Sequence, residues 1–151
     1  MVARRFTERP SLSDYLRPIL KGLRRTRGVK AQQMARDLAT SPRAYNYFEA
    51  GYGQLNVNRV HRFASLLDAD PYAILAAVEI RSPEFAFRCS QNKLMTVFMM
   101  ALQDFDEKAQ DTIVHLDPLT LMEAFSEMFE QLAAKAKEQE ELARRSLGKK
   151  S

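Results

Sequence analysis

The 151-residue sequence predicts an all-α chain. Apolar residues recur at the three- and four-residue spacing of helices, and no segment alternates as a half-buried strand does. Only five residues are glycine. A capping Ser or Asp stands directly before Pro at several points, which is typical of helix starts because Pro costs no hydrogen bond at the first helical position. These pairs are Ser41-Pro42, Asp70-Pro71, Ser82-Pro83 and Asp117-Pro118.

The composition predicts an ordinary soluble globular protein of one domain plus an extension, with 46% hydrophobic and 28% charged residues. No run of apolar residues is long enough to span a bilayer, so we expect no membrane partner. The first ten residues lack the apolar core of a signal peptide. The single cysteine, Cys89, cannot form an internal disulfide, which fits a reducing cytoplasm. We interpret Cys89 as a buried small apolar group in preference to a redox sensor.

The charge is distributed unevenly along the chain. Residues 1–62 hold 13 Lys and Arg against 4 Asp and Glu, whereas residues 63–151 hold 10 against 15. A solvated surface without a partner usually scatters its charge. The concentration of positive charge in one half therefore favours a nucleic-acid partner.

Residues 1–11 are basic and polar, and we expect a flexible arm there. Arg4, Arg5 and Arg9 have the charge to enter a minor groove or to contact phosphates, and plain disorder is the alternative. The first helix is expected to start at Ser13 or Arg17.

Pro18 suits the first position of that helix, so residues 12–16 are expected to form a separate turn. The helix ends at Arg27-Gly28. Its predicted buried residues are Leu16, Ile19 or Leu20, and Leu23.

Residues 32–51 contain two short apolar-periodic runs joined by a tight turn. Met34, Ala35 and Leu38 share one face of the first run. Ser41-Pro42 then restarts a helix, and Gly51 ends it. Because only about three residues separate the runs, the helices must cross steeply, which predicts a helix-turn-helix.

The second of these helices has two different faces. Tyr45 and Phe48 form its apolar face. Arg43, Asn46 and Tyr47 lie on the opposite face, and their side chains are of the kinds that hydrogen-bond to base edges. We therefore expect these three residues to contact DNA bases.

The chain from about residue 15 to about residue 77 resembles the phage-repressor-like, or xenobiotic-response-element, family of five-helix DNA-binding domains. The residues that carry the resemblance are Leu23-Arg24, Arg27-Gly28-Val29, Met34-Ala35, Ser41, Tyr45, Phe48-Glu49, Gly51, Val60, Phe63-Ala64, Leu67 and Asp70 to Leu75. The resemblance implies a helix-turn-helix DNA-binding domain over residues 12–80. The family usually has Gly in the turn where Ala39 stands, and a left-handed Ala costs about 1 kcal/mol.

The resemblance also implies roles for particular residues. Arg24 would pair with Glu49 and orient the third helix against the first. The loop and the start of the fourth helix would lie along the DNA backbone, where a helix N-terminus also attracts phosphate. Together with two residues near the second helix, the implied phosphate contacts are Lys30, Gln32, Tyr52, Gln54, Asn56, Asn58 and Arg59.

Two more helices complete the predicted domain. The fourth spans about residues 57–67, is capped by Asn56, and buries Val60, Phe63, Ala64 and Leu67. The fifth is capped by Asp70 and continues to about Glu79.

Residues 81–136 are predicted to form a helical dimerisation region. Residues 92–105 are apolar almost all round, which predicts burial in a core or between subunits. A short helix or loop follows over residues 106–116, and Asp117-Pro118 opens the longest helix. The expected dimer contacts are Leu94, Phe98, Leu102, Leu121, Phe125, Met128 and Leu132. Residues 137–151 form a charged, partly disordered tail.

The sequence contains no Gly-rich phosphate loop, no Cys/His metal cluster and no nucleophilic motif, so we expect neither an enzyme nor a cofactor nor a metal. We expect a cytoplasmic, nucleoid-associated homodimer that binds two-fold symmetric double-stranded DNA and regulates transcription, as a repressor. Two alternatives remain open. One is an antitoxin-like protein whose C-terminal helices neutralise a partner protein, and the other is a regulator gated by a small ligand at the Met-rich helix.

Overall fold

The computed structural model describes residues 11–150, and over this range the chain is all-helical, as predicted. It forms α1 (Leu12–Thr26), α2 (Ala31–Asp37), α3 (Pro42–Glu49), α4 (Val57–Leu67), α5 (Pro71–Glu79), α6 (Pro83–Arg88), α7 (Leu94–Ala109), a 3-10 helix (Gln110–His115) and α8 (Pro118–Gly148). The expected basic arm, with Arg4, Arg5 and Arg9, lies outside the described residues apart from Ser11.

The chain divides into two compact units, Met1–Asp104 and Phe105–Ser151. The first unit therefore extends past the boundary at residue 80 that the sequence suggests. The reason is packing, since α6 lies against α1 and α5 and adds Ala86, Phe85 and Phe87 to the core of the first unit.

The expected start of the first helix is wrong. α1 begins at Leu12 and includes Pro18, so residues 12–16 are part of the helix and do not form a separate turn. Proline inside a helix removes one backbone hydrogen bond and costs about 3 kcal/mol. Leu16, Ile19 and Leu20 are buried around it, and their packing keeps the helix continuous.

The core of the first unit is formed by the residues that the periodicity predicts. Met34, Ala35 and Leu38 of the second helix are buried, as are Tyr45 and Phe48 of the third. The predicted apolar face of α4 is confirmed by the burial of Val60, Phe63, Ala64 and Leu67. Ser41, Asn56 and Asp70 cap α3, α4 and α5 through hydrogen bonds from Ala44, Arg59 and Ala73 respectively.

The turn between α2 and α3 contains a strained residue. Ala39 has a φ of 53°, in the left-handed region that disfavours any residue with a Cβ. Arg62 of α4 donates a hydrogen bond of 3.1 Å to the carbonyl of Leu38, the residue that precedes Ala39. The surrounding packing and this hydrogen bond hold the turn in place at an energetic cost.

α6 closes the first unit against α1. The ring of Phe87 lies directly over Gly22, where any Cβ would overlap it. Pro83 occupies the first turn of α6 as expected, but Ser82 makes no capping hydrogen bond with its side chain, contrary to prediction. Cys89 follows α6 and is buried, which confirms its interpretation as a small core residue.

The helices that follow leave their apolar residues at least partly exposed in the single chain. No residue of α7, of the 3-10 helix or of α8 is buried, although residues 92–105 are apolar almost all round. The helix at 94 runs further than expected, to Ala109, before the 3-10 helix begins. Asp117 caps α8 as predicted.

The charged tail is helical as far as Gly148. Arg144 and Arg145 pair with Glu140 and Glu141, one turn earlier, at 2.9 and 2.5 Å. Such exposed pairs support a helix by only about 0.3–0.5 kcal/mol each.

Within residues 11–150, no helix has both the length and the apolar character needed to cross a membrane.

Replacing Ala39 with Gly should stabilise the protein by about 0.5–1 kcal/mol, because Gly adopts a positive φ without steric cost. Urea unfolding of both proteins measures the difference. Ala76→Gly, inside α5, is the matched control and should destabilise by about 1 kcal/mol. A destabilising Ala39→Gly would show that the turn is not strained.

Candidate functional site

The exposed face of α3 carries the three predicted base-contacting residues. Tyr45 and Phe48 anchor the opposite face in the core, so Arg43, Asn46 and Tyr47 point away from it and are exposed. Among the described residues, the side chains of Arg43 and Asn46 form no hydrogen bond with another residue. Their donors and acceptors are therefore available to a ligand.

Tyr47 is held in place by the loop that follows α3. Its ring lies 5.7 Å from the ring of Tyr52. A Cβ at Gly53 would stand 3.0 Å from Tyr47 Cε1, so any other residue there would have to displace the ring slightly. Tyr47 is a predicted base contact and Tyr52 is a predicted phosphate contact. Their rings form one aromatic pair. No feature of the sequence indicates this pairing.

The end of α3 is joined to α1 by a bidentate ion pair. Arg24 Nε and Nη2 donate to Glu49 Oε2 and Oε1, each at 2.8 Å. Arg24 Nη1 also donates to the carbonyl of Val29 at 2.9 Å, and the Tyr45 hydroxyl donates to Glu49. The pair expected from the resemblance is thus present, and Tyr45 extends it into a network that the sequence did not predict.

The network shifts the protonation equilibria of its members. Burial alone would raise the pKa of the Glu49 carboxyl, but the hydrogen bonds from Arg24 and Tyr45 outweigh it and lower that pKa. The hydrogen bond to Glu49 raises the pKa of Arg24 against the opposing effect of burial. Burial, and then the hydrogen bond to Glu49, raise the pKa of Tyr45. At neutral pH, Glu49 is therefore ionised, Arg24 is protonated and Tyr45 is neutral. These are the states in which the three side chains hydrogen-bond to one another.

Close packing reinforces this attachment. Gly51 follows α3 with a φ of 77°, and a Cβ there would stand 2.8 Å from Ser13 Cα in α1. The backbone after α3 therefore contacts the first turn of α1 directly. The position of α3 is fixed both by the ion pair and by this approach.

The start of α4 presents several polar groups. Asn56 uses its Oδ1 to accept from the backbone N–H of Arg59 at 3.0 Å, which leaves its amide N–H₂ group for other partners. The Arg59 guanidinium lies 5.7 Å from the centre of the Phe48 ring, in a cation–π contact. Gln54 and Asn58 are exposed beside it in sequence.

A surface cleft of about 320 Å³ lies at the start of α2. Lys30 and Gln32, both predicted phosphate contacts, line it together with Arg36. Arg36 was missed by the sequence reasoning, although it stands four residues after Gln32 and so shares its helical face. The cleft thus brings together two cationic side chains, Lys30 and Arg36, and two side-chain amides, those of Gln32 and Gln33.

The expected dimer residues remain accessible in the single chain. In the first unit, Leu94 and Phe98 are half-buried and Leu102 is exposed. In the second unit, Phe125 and Leu132 are 50% and 47% exposed. Leu121 and Met128 are half-buried.

Among residues 11–150, no group of three or more His, Cys, Asp or Glu side chains is placed to hold a metal ion. Comparisons with models of known protein families, with curated proteins and with solved structures found no match.

The Glu49 network predicts a specific loss of stability in acid. Because the pKa of Glu49 is lower in the folded than in the unfolded protein, its contribution is present above about pH 4.5 and is lost as the pH falls through the folded value. Glu49→Gln should cost about 3 kcal/mol at pH 7, as expected for breaking a buried pair, and progressively less in acid.

Urea unfolding of the parent and the variant between pH 7 and pH 3 measures this difference. Glu84→Gln, at an exposed position of α6, is the control and should have little effect at any pH. A parent–variant difference that stays constant down to pH 3 would exclude the ionised pair as its cause.

Proposed function

We propose that the protein is a sequence-specific DNA-binding transcription regulator, a repressor that binds a two-fold symmetric operator as a homodimer. The observation that carries the proposal is the exposed face of α3. Arg43, Asn46 and Tyr47 project from a helix that is fixed on its other face by the core and by the Arg24–Glu49 pair. A rigid helix with free Arg and Asn side chains suits the major groove, where Arg recognises guanine and Asn recognises adenine.

The surroundings of α3 support the same proposal. Lys30 and Arg36 line the cleft beside α2, and α2 packs on α3. Gln54 and Asn58 are exposed in the loop and helix start that follow α3, and Asn56 retains its amide N–H₂ group there. Cationic and polar groups on both sides of a base-reading helix are what contacts to the phosphate backbone require. We propose for residues 12–80 the helix-turn-helix domain of the phage-repressor-like family, which this part of the sequence resembles.

The homodimer is proposed because one recognition helix covers only a few base pairs. Two copies place two such helices about one DNA turn, or roughly 34 Å, apart on a symmetric site. The exposed apolar side chains of α7 and α8, among them Leu102, Phe125 and Leu132, favour association with a second surface. A second copy of the chain supplies that surface without a further partner.

The same exposed side chains also favour one alternative, an antitoxin-like protein whose C-terminal helices bind a different protein. A purified chain that stays monomeric at all concentrations would favour this alternative, because the apolar side chains would then await another partner.

Replacing Arg43 or Asn46 with Ala should weaken binding to the specific DNA site by roughly 1–3 kcal/mol, and binding to random DNA much less. The reason is that base contacts carry sequence information whereas phosphate contacts do not. Fluorescence anisotropy with a site selected by the parent protein measures both affinities.

Arg88→Ala is the matched control, since it removes an exposed arginine at the end of α6, which packs on α1 and α5. It should reduce both affinities equally and slightly. If Arg43→Ala and Asn46→Ala bind the selected site as tightly as the parent does, α3 is not the helix that reads the bases.

Phe125→Asp or Leu132→Asp in the full chain should convert the dimer to a monomer, because an unpaired charge would be buried in the interface. Analytical ultracentrifugation measures the mass in solution. Ala134→Asp introduces the same charge on the opposite face of α8 and should leave the dimer intact. A parent protein that sediments as a monomer, or Asp variants that still dimerise, would show that α8 is not the interface.

A further inference from the structure

Asp70 differs from the other helix caps because it serves two helices. Its side chain is 1% exposed, and its Oδ1 accepts from the Ala73 backbone N–H at 3.2 Å, which caps α5. Its Oδ2 accepts from the backbone N–H groups of Met95 and Thr96 at 2.8 and 3.3 Å. The Thr96 hydroxyl donates to Oδ1 at 2.8 Å. One buried carboxylate therefore caps the first turn of α5 and the first turn of α7.

A second contact lies next to this one. Lys93, the residue before α7, has a φ of 56°, and its ammonium group lies 3.3 Å from Asp68 Oδ1. The same ammonium donates to the backbone carbonyls of Asp68 and Ser90. The start of α7 is thus attached to residues 68–70 by a buried carboxylate and by a surface cation.

These contacts matter because they act at the first turn of α7. No residue of the helix is fully buried, and its half-buried side chains near the start are Leu94, Met95, Thr96, Phe98 and Met99. The attachment of α7 to the first unit is therefore concentrated near its start. The part of α7 that lies in the first unit, residues 94–104, is about 16 Å long, and a tilt of roughly 15° at its first turn moves its end by about 4 Å. That displacement exceeds the roughly 3.4 Å that separates neighbouring base pairs. The spacing between two recognition helices would respond to such a tilt.

We propose that Asp70 is a positioning residue for operator recognition: by capping α5 and α7 together, it fixes the direction of α7 and so selects the spacing between the two half-sites. The inference rests on the proposed function, since it requires a dimer whose contacts include Leu94, Phe98 and Leu102 of α7. Asp70 itself contacts no DNA in this account, and its effect is on the geometry of the pair alone.

The substitution Asp70→Ser separates the two caps. A serine hydroxyl accepts from the N–H groups of its own helix and so preserves the cap of α5. Serine has only one side-chain oxygen, on a shorter side chain. It therefore cannot also accept the hydrogen bonds that Asp70 Oδ2 accepts from the Met95 and Thr96 N–H groups. Thr96→Val removes one hydrogen bond to Asp70 and should have a smaller effect in the same direction. Asp117→Ser is the matched control, because Asp117 caps only its own helix, through Thr120.

Hydrogen exchange measured by NMR on the full-length protein tests the attachment without DNA. In Asp70→Ser, the Met95 and Thr96 amides should exchange at least about tenfold faster than in the parent, while the Ala73 amide changes little. Unchanged protection at Met95 and Thr96 would overturn the assignment of Asp70 as the residue that holds α7.

Binding to a series of synthetic operators tests the consequence. The series keeps both selected half-sites and lengthens or shortens the spacer by one base pair at a time. The parent and Asp117→Ser should prefer one spacing by roughly tenfold, whereas Asp70→Ser should bind all spacings within about threefold and bind a single half-site as the parent does.

The possible failures are distinguishable. If Asp70→Ser speeds hydrogen exchange at the Met95 and Thr96 amides but keeps the spacing preference of the parent, Asp70 is a structural cap only and the proposal is wrong. If Asp70→Ser loses the same affinity at every spacing, so that the spacing preference is unchanged, the proposal is also wrong. If the parent itself binds no DNA specifically, the proposed function fails, and the exchange experiment still decides whether Asp70 holds α7. Should Asp70→Ser not fold, Thr96→Val must broaden the spacing preference for the proposal to survive.

Discussion

The bidentate pair between Arg24 and Glu49 joins α3 to α1, and the exposed side chains of α3 depend on that attachment. α3 is only eight residues long and has two large apolar side chains, Tyr45 and Phe48, facing the core. Removing one partner from a buried pair costs about 3–5 kcal/mol, whereas an exposed pair contributes about 1 kcal/mol or less. The network therefore does more to define one position of α3 than any surface contact of that helix. A fixed α3 is the condition for the base recognition that we propose for Arg43 and Asn46.

The distribution of apolar groups explains why a second molecule is part of the proposal. The core of the first unit is formed by residues of α1 to α6, whereas no residue of α7 or α8 is fully buried in the single chain. Burying the exposed half of Phe125 or Leu132 would contribute on the order of 1 kcal/mol. Association costs at least about 4 kcal/mol, so these two residues in each chain are barely sufficient. The proposed dimer therefore also needs apolar residues of α7 in its interface. Its geometry then depends on the direction of α7.

Local signals in the sequence predicted the fold well where each signal had a single consequence. Capping residues and apolar periodicity located α3, α4, α5 and the start of α8, and the family resemblance led to the Arg24–Glu49 pair. The sequence failed where a long-range contact decided the outcome. Pro18 lies inside α1 because the core packs around it, and Asp70 caps α7 as well as α5 because residues 70 and 95 meet only in the fold. The Tyr47–Tyr52 pair, similarly, depends on the loop geometry that Gly53 permits.

Selection of bound sites from random DNA by the full-length protein tests the central claim most directly, because it yields the sequence, the spacing and the symmetry of the site together. We expect strong enrichment of a two-fold symmetric site whose half-sites are centred about one DNA turn, roughly 34 Å, apart. Enrichment of a single asymmetric half-site would contradict the dimer. Absence of any enriched sequence would contradict DNA recognition by α3.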